Sequence, residues 1–293
     1  MKRLFSFICA AALGISCTSG SLTLHYDAPA EYFEEALPIG NGRIGAMVYG
    51  GTTTDRLSLN DITLWTGEPD KGAEHPDFVL SETITPWGEA SLWFDNVREA
   101  LDNEEYREAD RMQRHVQGHY SENYQPLGYL EVTYPEGEIT EYQRLLDISD
   151  AHAEVTYKRD GKRFKAEYIA SAPDSVIVIR LSSEAPIEAS IALDSPLPHQ
   201  TSASGNMLIS DGYAAWHSYP NYYYNFKERF LYDPDRGIHY RTVVSCDGAV
   251  AQDGKLVISG VNEAVIRIVN STSFAGFDRD PVKDGKEDRK SVV

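Results

Sequence analysis

The sequence predicts an all-β fold: a large sandwich with one short helical insertion near residues 94–116. Three observations carry this reading. Most of the chain alternates apolar and polar residues at the two-residue period of strands. Asp-Gly pairs punctuate that alternation at Asp160-Gly161, Asp247-Gly248 and Asp253-Gly254, each a turn signal. Helical spacing is confined to a single stretch, Phe94 to Val116. Strand-and-turn units at this spacing argue for a sandwich and against βαβ units.

The elements follow in order. In the helical insertion, Asp95 is expected to cap a first short helix and Asp102 a second, with Glu105 completing a capping box. Leu101, Tyr106, Ala109 and Met112 would give that pair a buried side. Glu154 to Tyr157 reads as a strand, Asp160-Gly161 as its hairpin turn and Phe164 to Ser171 as the return. Ser175 to Leu181 and Ile187 to Leu193 read as two further strands. Tyr240 to Cys246, Leu256 to Ser259 and Ala264 to Val269 follow the same pattern. With no internal repeat and no low-complexity linker, residues 22–286 read as one large domain.

The two ends differ from the body. Lys2 and Arg3 precede an apolar stretch, Leu4 to Ile15, that is shorter than the roughly 20 residues needed to span a bilayer. Residues 1–16 therefore read as a signal peptide. Cys17 follows directly and is the expected lipidation site of a lipoprotein, ordinary cleavage nearby being the alternative. Either route exports the protein from a bacterial cytoplasm, to the periplasm or to an outer-membrane anchor. Residues 287–293 are polar and read as an artefactual or frayed tail.

Composition narrows the function classes. The 293 residues are 42% hydrophobic and 11% aromatic, enough to bury a core. Their 27 basic and 45 acidic side chains leave a net charge of −18, which repels nucleic acid and anionic lipid but is indifferent to neutral sugars. Only Cys9, Cys17 and Cys246 occur. After processing, Cys246 has no intramolecular partner, so it is expected to be a buried apolar residue in a fold held by its core.

Three motifs invite chemistry. Gly40, Gly42 and Gly45 satisfy G-x-G-x-x-G, with Asp61 near the place of a ribose-binding acid. Ala46 to Gly51 then reads as strand and turn where a dinucleotide site needs a helix, so the glycines are assigned to tight turns and close packing. His115 and His119, with Glu122 nearby, have metal-ligand spacing, but Gly118 interrupts the helix that would align them. Tyr213 to Phe226 is rich in aromatics that either pack or form a sugar platform; packing is favoured. No acid–base pair is marked by spacing, and no cofactor or metal is implied.

Six ordered segments are more specific: Leu37–Gly50 (LPIGNGRIGAMVYG), Leu57–Pro69 (LSLNDITLWTGEP), Tyr124–Leu130 (YQPLGYL), Tyr142–Ile148 (YQRLLDI), Glu167–Asp174 (EYIASAPD) and Ser271–Pro281 (STSFAGFDRDP). From about His25 to Lys286 the chain resembles the N-terminal domain of glycoside hydrolase family 95, which comprises α-L-fucosidases and α-L-galactosidases. The resemblance implies a β-supersandwich, followed in the family by a linker, an (α/α)6 barrel and a small β domain. It also implies an inverting hydrolysis whose general-acid Glu and Asn/Asp-activated water belong to the barrel. Those residues have no counterpart here, so no catalytic residue is carried over. Two positions depart from the family pattern: Asp61 stands where Glu is usual, and Tyr129 where Asp is common.

On this resemblance Asn60, Asp61 and Trp65 are candidates for the rim of a sugar pocket, with Asn41 and Arg43 beside them. The alternative is that they fix loops or face the absent barrel. The expected function is the N-terminal part of an exported α-L-fucosidase acting on fucosylated glycans. The chain alone is expected to be inactive, with an apolar surface for its barrel partner. A stand-alone carbohydrate-binding lipoprotein is a second reading, and a related disaccharide phosphorylase a third.

Overall fold

The computed structural model describes residues 22–69, 87–113, 120–222 and 226–282. The signal segment, Cys17, both His115 and His119, and the tail lie outside the described residues. Strands are the dominant element, joined by turns and loops and accompanied by two helices. The first four strands are β1 (Thr23–Tyr26), β2 (Leu37–Gly40), β3 (Ile44–Val48) and β4 (Thr54–Asp61). Helices α1 (Trp87–Asp102) and α2 (Tyr106–Gln113) follow. Next come β5 (Gly128–Thr133), β6 (Ile139–Asp147), β7 (His152–Arg159), β8 (Lys162–Ser171) and β9 (Val176–Asp194). The last are β10 (His199–Ser204), β11 (Met207–Tyr213), β12 (His217–Ser218), β13 (Phe230–Leu231), β14 (His239–Cys246), β15 (Val250–Gln252) and β16 (Lys255–Thr272). The all-β expectation holds.

Two long antiparallel strands organise the sandwich. The first half of β9 pairs with β8, opening an arm that runs β8-β7-β6-β1. Its second half, from Ser190, pairs with β5 and opens another arm, β5-β4-β3-β2. On its other side β9 pairs along its length with β16, which leads on to β14, β11 and β10. The two arms face each other, with β2 lying across β6, β7 and β8. The alternating strands of both arms fill the space between them with Val48, Leu57, Leu130, Val155, Ile179 and Leu181, all essentially inaccessible. Burial of that apolar face is the dominant stabilising term in such a fold.

Two sequence expectations are corrected here. Ser175–Leu181 and Ile187–Leu193 are halves of one strand, β9, and Leu256–Ser259 and Ala264–Val269 are halves of β16. Pro186 interrupts the first pair in sequence, yet it lies between Ser183 and Ser190, where β8 has ended and β5 has not begun. A missing N–H costs little where no ladder neighbour waits for it. β16 changes register between Ile258 and Glu263, a bulge that includes Gly260 at φ 73° and redirects the strand from one pairing to the next.

The helical insertion also differs. Asp95 sits inside α1, which begins at Trp87, and Asp102 is the last residue of α1, so neither caps a helix. The chain reverses through Glu104 at φ 60°, and Glu105 receives the first α2 bonds, from the N–H groups of Glu108 and Ala109 at 3.0 Å each. Ala100 and Ala109 are buried and Met112 is half-buried, but Leu101 and Tyr106 are exposed by 47% and 64%. Cys246 is free and fully buried, as expected.

Candidate functional site

Four of the six ordered segments converge at one end of the β2–β5 arm. Leu37–Gly50 forms the β2–β3 hairpin, and Gly40 pairs with Gly45 across it. A Cβ on Gly45 would stand 2.9 Å from the Ile39 carbonyl oxygen, so glycine there permits close strand packing. The G-x-G-x-x-G pattern is thus a hairpin, and it has no helix N-terminus to receive a pyrophosphate. Asn41 locks the turn: its Oδ1 accepts from the N–H groups of Arg43 and Ile44 at 3.0 and 2.9 Å, and its Nδ2 donates to the Ser171 carbonyl at 2.8 Å.

Asp61 ends β4 and is completely buried. Its Oδ1 accepts from the Thr63 N–H and hydroxyl at 2.9 and 2.7 Å, and its Oδ2 accepts from Asn270 Nδ2 at 2.8 Å. Asn270 is held in turn by the Thr242 hydroxyl, and Thr63 and Thr272 hydroxyls meet at 2.6 Å. This chain of bonds ties the turn after β4 to β14 and β16. The turn presents Ile62 and Trp65 as an exposed ridge. Trp65 Nε1 donates to the Ile62 carbonyl at 2.9 Å, and the ring meets Tyr124 edge-on at 6.3 Å, which fixes the indole while leaving it 43% exposed.

The ridge separates two grooves. The first, about 650 Å³, lies over the outer face of β3, β4 and β5. Its floor carries Arg56, Ser58 and Asn60 at every second position of β4. Asn60 faces Gly45 across the ladder, and Ser58 lies between Met47 and Tyr129. Phe33, Trp65 and Tyr124 stand at its walls. The Arg56 guanidinium lies 3.7 Å over the Tyr129 ring. The second groove, about 560 Å³, is bounded by Trp65, Thr66, Glu122, Ile238, Phe274 and Phe277.

Beneath the second groove lies a dense polar cluster. Glu122 Oε1 meets Nδ1 of the fully buried His217 at 2.7 Å, and His217 Nε2 lies 3.1 Å from the Tyr120 hydroxyl. Glu122 Oε2 accepts from Thr66 Oγ1 at 2.5 Å and from the Ser218 N–H and hydroxyl at 3.1 and 3.2 Å. Burial alone would raise this carboxyl, but the bonds from His217, Thr66 and Ser218 hold it below the ordinary range. Every oxygen is engaged, so the group is a brace between the ridge and β12.

Comparison with known proteins decides the family. The family model "Glycosyl hydrolase family 65, N-terminal domain" matches residues 24–276. The chain belongs to this family. "Alpha-L-fucosidase 2" of Arabidopsis thaliana is 29% identical over 94% of the chain and 33% of its own length. "Probable alpha-fucosidase A" of Aspergillus oryzae is 23% identical over 92% of the chain and 35% of its own length. The protein of the same name in Aspergillus niger is 28% identical over 69% of the chain and 24% of its own length. The chain spans about a third of the length of the first two of these relatives.

As a glycosyl hydrolase family 65 N-terminal domain, the chain places its sequence candidates unequally. Asn60 and Trp65 border the first groove. Arg43 is half-exposed, its Nε 3.8 Å from Asp61. Asp61 and Asn41 are spent on internal bonds and act as supports. Arg56 and Ser58, unmarked in the sequence reading, share the groove floor with Asn60; the alternation Arg56-Leu57-Ser58-Leu59-Asn60 carried that signal. The aromatic segment mostly packs: Tyr219 is buried and stacks on Phe226 at 3.7 Å, and Trp216 lies under Arg236, which forks onto Glu68. Asp147, Asp150 and His152 bring three ligand atoms within 4.8 Å, but Asp147 already accepts from the N–H groups of Ser149 and Asp150 as a turn residue.

Proposed function

We propose that this chain is the N-terminal sandwich of an α-L-fucosidase of family 95 type, and that hydrolysis is performed by a further part of the polypeptide. The observation that carries this is the alignment of 94% of the chain with one third of a fucosidase. The described carboxylates support it, because the groove-facing acid Glu122 is fully occupied by hydrogen bonds and is a poor proton donor to a glycosidic oxygen. The parent enzyme removes terminal fucose from glycans with inversion, water attacking in one displacement. The exposed ridge and groove wall, Ile62, Trp65, Phe274 and Phe277, form the seat for the catalytic part. Residues 1–16 direct export, and Cys17 carries the lipid anchor.

Fucose release from a fucosylated oligosaccharide tests the reading. The 293-residue chain is expected to match a buffer control, and the polypeptide extended along the genomic frame beyond Lys286 to hydrolyse the substrate. Activity in the short chain, or none in the extended one, would sink it. For the anchor, Cys17→Ala should move the protein from the membrane fraction to the soluble periplasmic fraction. An unchanged distribution refutes lipidation at Cys17.

A further inference from the structure

We infer that Asn41 is a hydrolytic modification site, its side-chain amide converted to a carboxylate through attack by the next backbone nitrogen, at a rate set by opening of the β2–β3 hairpin. Among the asparagines of the chain, Asn41 alone precedes a glycine. In the other pairs the following residue carries a Cβ that crowds its own nitrogen. Gly42 has none; it is exposed at φ 92°, and even a Cβ built there would meet nothing within 4 Å. Its nitrogen is open to the Asn41 side chain, the kind of close backbone approach that glycine permits. The step needs no partner but water. The Gly42 nitrogen loses its proton and bonds to Asn41 Cγ, the Cγ–Nδ2 bond breaks, and ammonia leaves with that proton, so that a cyclic imide remains. Water then opens the imide at either carbonyl. The product at position 41 is an aspartate, or an isoaspartate whose main chain is one carbon longer.

The folded hairpin holds the amide against this reaction. Nδ2, the leaving group, donates to the Ser171 carbonyl at 2.8 Å, and Oδ1 accepts from the Arg43 and Ile44 N–H groups at 3.0 and 2.9 Å. The backbone closes the same turn, with the Asn41 N–H donating to the Ile44 carbonyl at 3.1 Å. Nδ2 cannot depart while it is bonded to Ser171, so conversion waits for the turn to open locally. Conversion then removes the restraint it had to escape. The bond from Nδ2 ties the hairpin to the end of β8. A carboxylate at position 41 has no hydrogen to donate and sets an anionic oxygen against the Ser171 carbonyl. The isoaspartate lengthens the turn between Gly40 and Gly45, which pair across it. Either product frees the hairpin from β8, and with it Arg43, whose Nε lies 3.8 Å from Asp61. One spontaneous and irreversible event thereby marks an aged molecule.

Peptide mass spectrometry of the 293-residue chain, aged in mildly alkaline buffer with and without urea, reads the exchange of NH2 for OH at each asparagine. Asp-Gly pairs do not confuse it, because their isomerisation leaves the mass unchanged. Asn41 should convert faster than any other asparagine in urea, and at least about tenfold more slowly in the folded chain, where opening must come first. Gly42→Ala should slow the conversion in urea, where folding plays no part. Gly45→Ala, which drives a methyl against the Ile39 carbonyl, should bring the folded rate toward the unfolded one. Asn41→Asp, carrying the unlengthened product, should melt about 2–6 °C lower than wild type, the loss of one interior hydrogen bond. Conversion at Asn41 no faster in urea than elsewhere overturns the site. Equal rates in the folded and unfolded chains overturn the gating, as does a folded rate of zero that Gly45→Ala leaves at zero. An Asn41→Asp chain as stable as wild type shows that the Nδ2 bond does not hold the turn, and overturns the gating as well. The site is read by mass and melting, so fucose release by the extended polypeptide bears on it in neither direction.

Discussion

Asp61 is completely buried, yet three polar hydrogens converge on it from Thr63 and Asn270. Replacing it by alanine strands those donors, so Asp61→Ala should cost ~2–4 kcal/mol, read from denaturant unfolding, and should release the Trp65 ridge. Asp55 shows the opposite balance. Burial pushes its carboxyl from 3.8 up to about 6, against the opposing bonds from Tyr168, Gly50 and Gly51. A folded state that holds the proton more tightly than the unfolded chain is favoured at low pH. The Asp55 contribution is therefore complete below pH 3.8 and is lost as pH rises to about 6, by up to ~3 kcal/mol. Glu122, held below 4.5, works the other way: its contribution is present above that pH and is lost on acidification. Melting temperatures across this range should show Asp55→Asn removing the loss on the rising side and Glu122→Gln removing the loss on the acid side. Unchanged slopes in both variants would refute the assignment.

The hairpin is the element most legible in the sequence. Asp160-Gly161 joins β7 to β8 with both residues at positive φ, 50° and 75°, as an Asp-Gly turn requires. Gly45 carries a steric demand that sequence alone could only suggest. Gly45→Ala drives a methyl against the Ile39 carbonyl and should cost ~1–3 kcal/mol by prising β2 from β3. The melting temperature reads this directly, and a fully stable variant would refute the close approach. The helical pair was recognisable by its spacing but misplaced at its caps. Asp102 looks like an N-cap by type and by its distance from Glu105, yet the chain is still helical there and turns only at Glu104. Capping is set by where the backbone leaves the helix, which residue type biases but does not decide.

At the scale of the whole molecule, β9 and β16 lie at the centre of the 14-stranded sheet, each with strands paired on both sides. Native-state hydrogen exchange should find the slowest amides at Ile177–Leu181 and Ala264–Ile268, and the fastest strands at the edges, β1 and β10. Comparable protection at β10 and β9 would contradict this hierarchy. The sequence by itself determined the fold class, most of the strands, the burial of Cys246 and the absence of a dinucleotide turn, because alternation and turn chemistry are local and survive without tertiary context. It also marked Asn60 and Trp65, through the motif that contains them. Only the tertiary structure decided that two pairs of strands are single long ones, since a proline or a register shift is tolerated only where a neighbour is missing. Only it could separate Asp61 and Asn41, which support, from Asn60, which faces a groove. That distinction depends on which atoms already have partners, and for these residues the partners lie in strands far along the chain, Asn270 for Asp61 and Ser171 for Asn41.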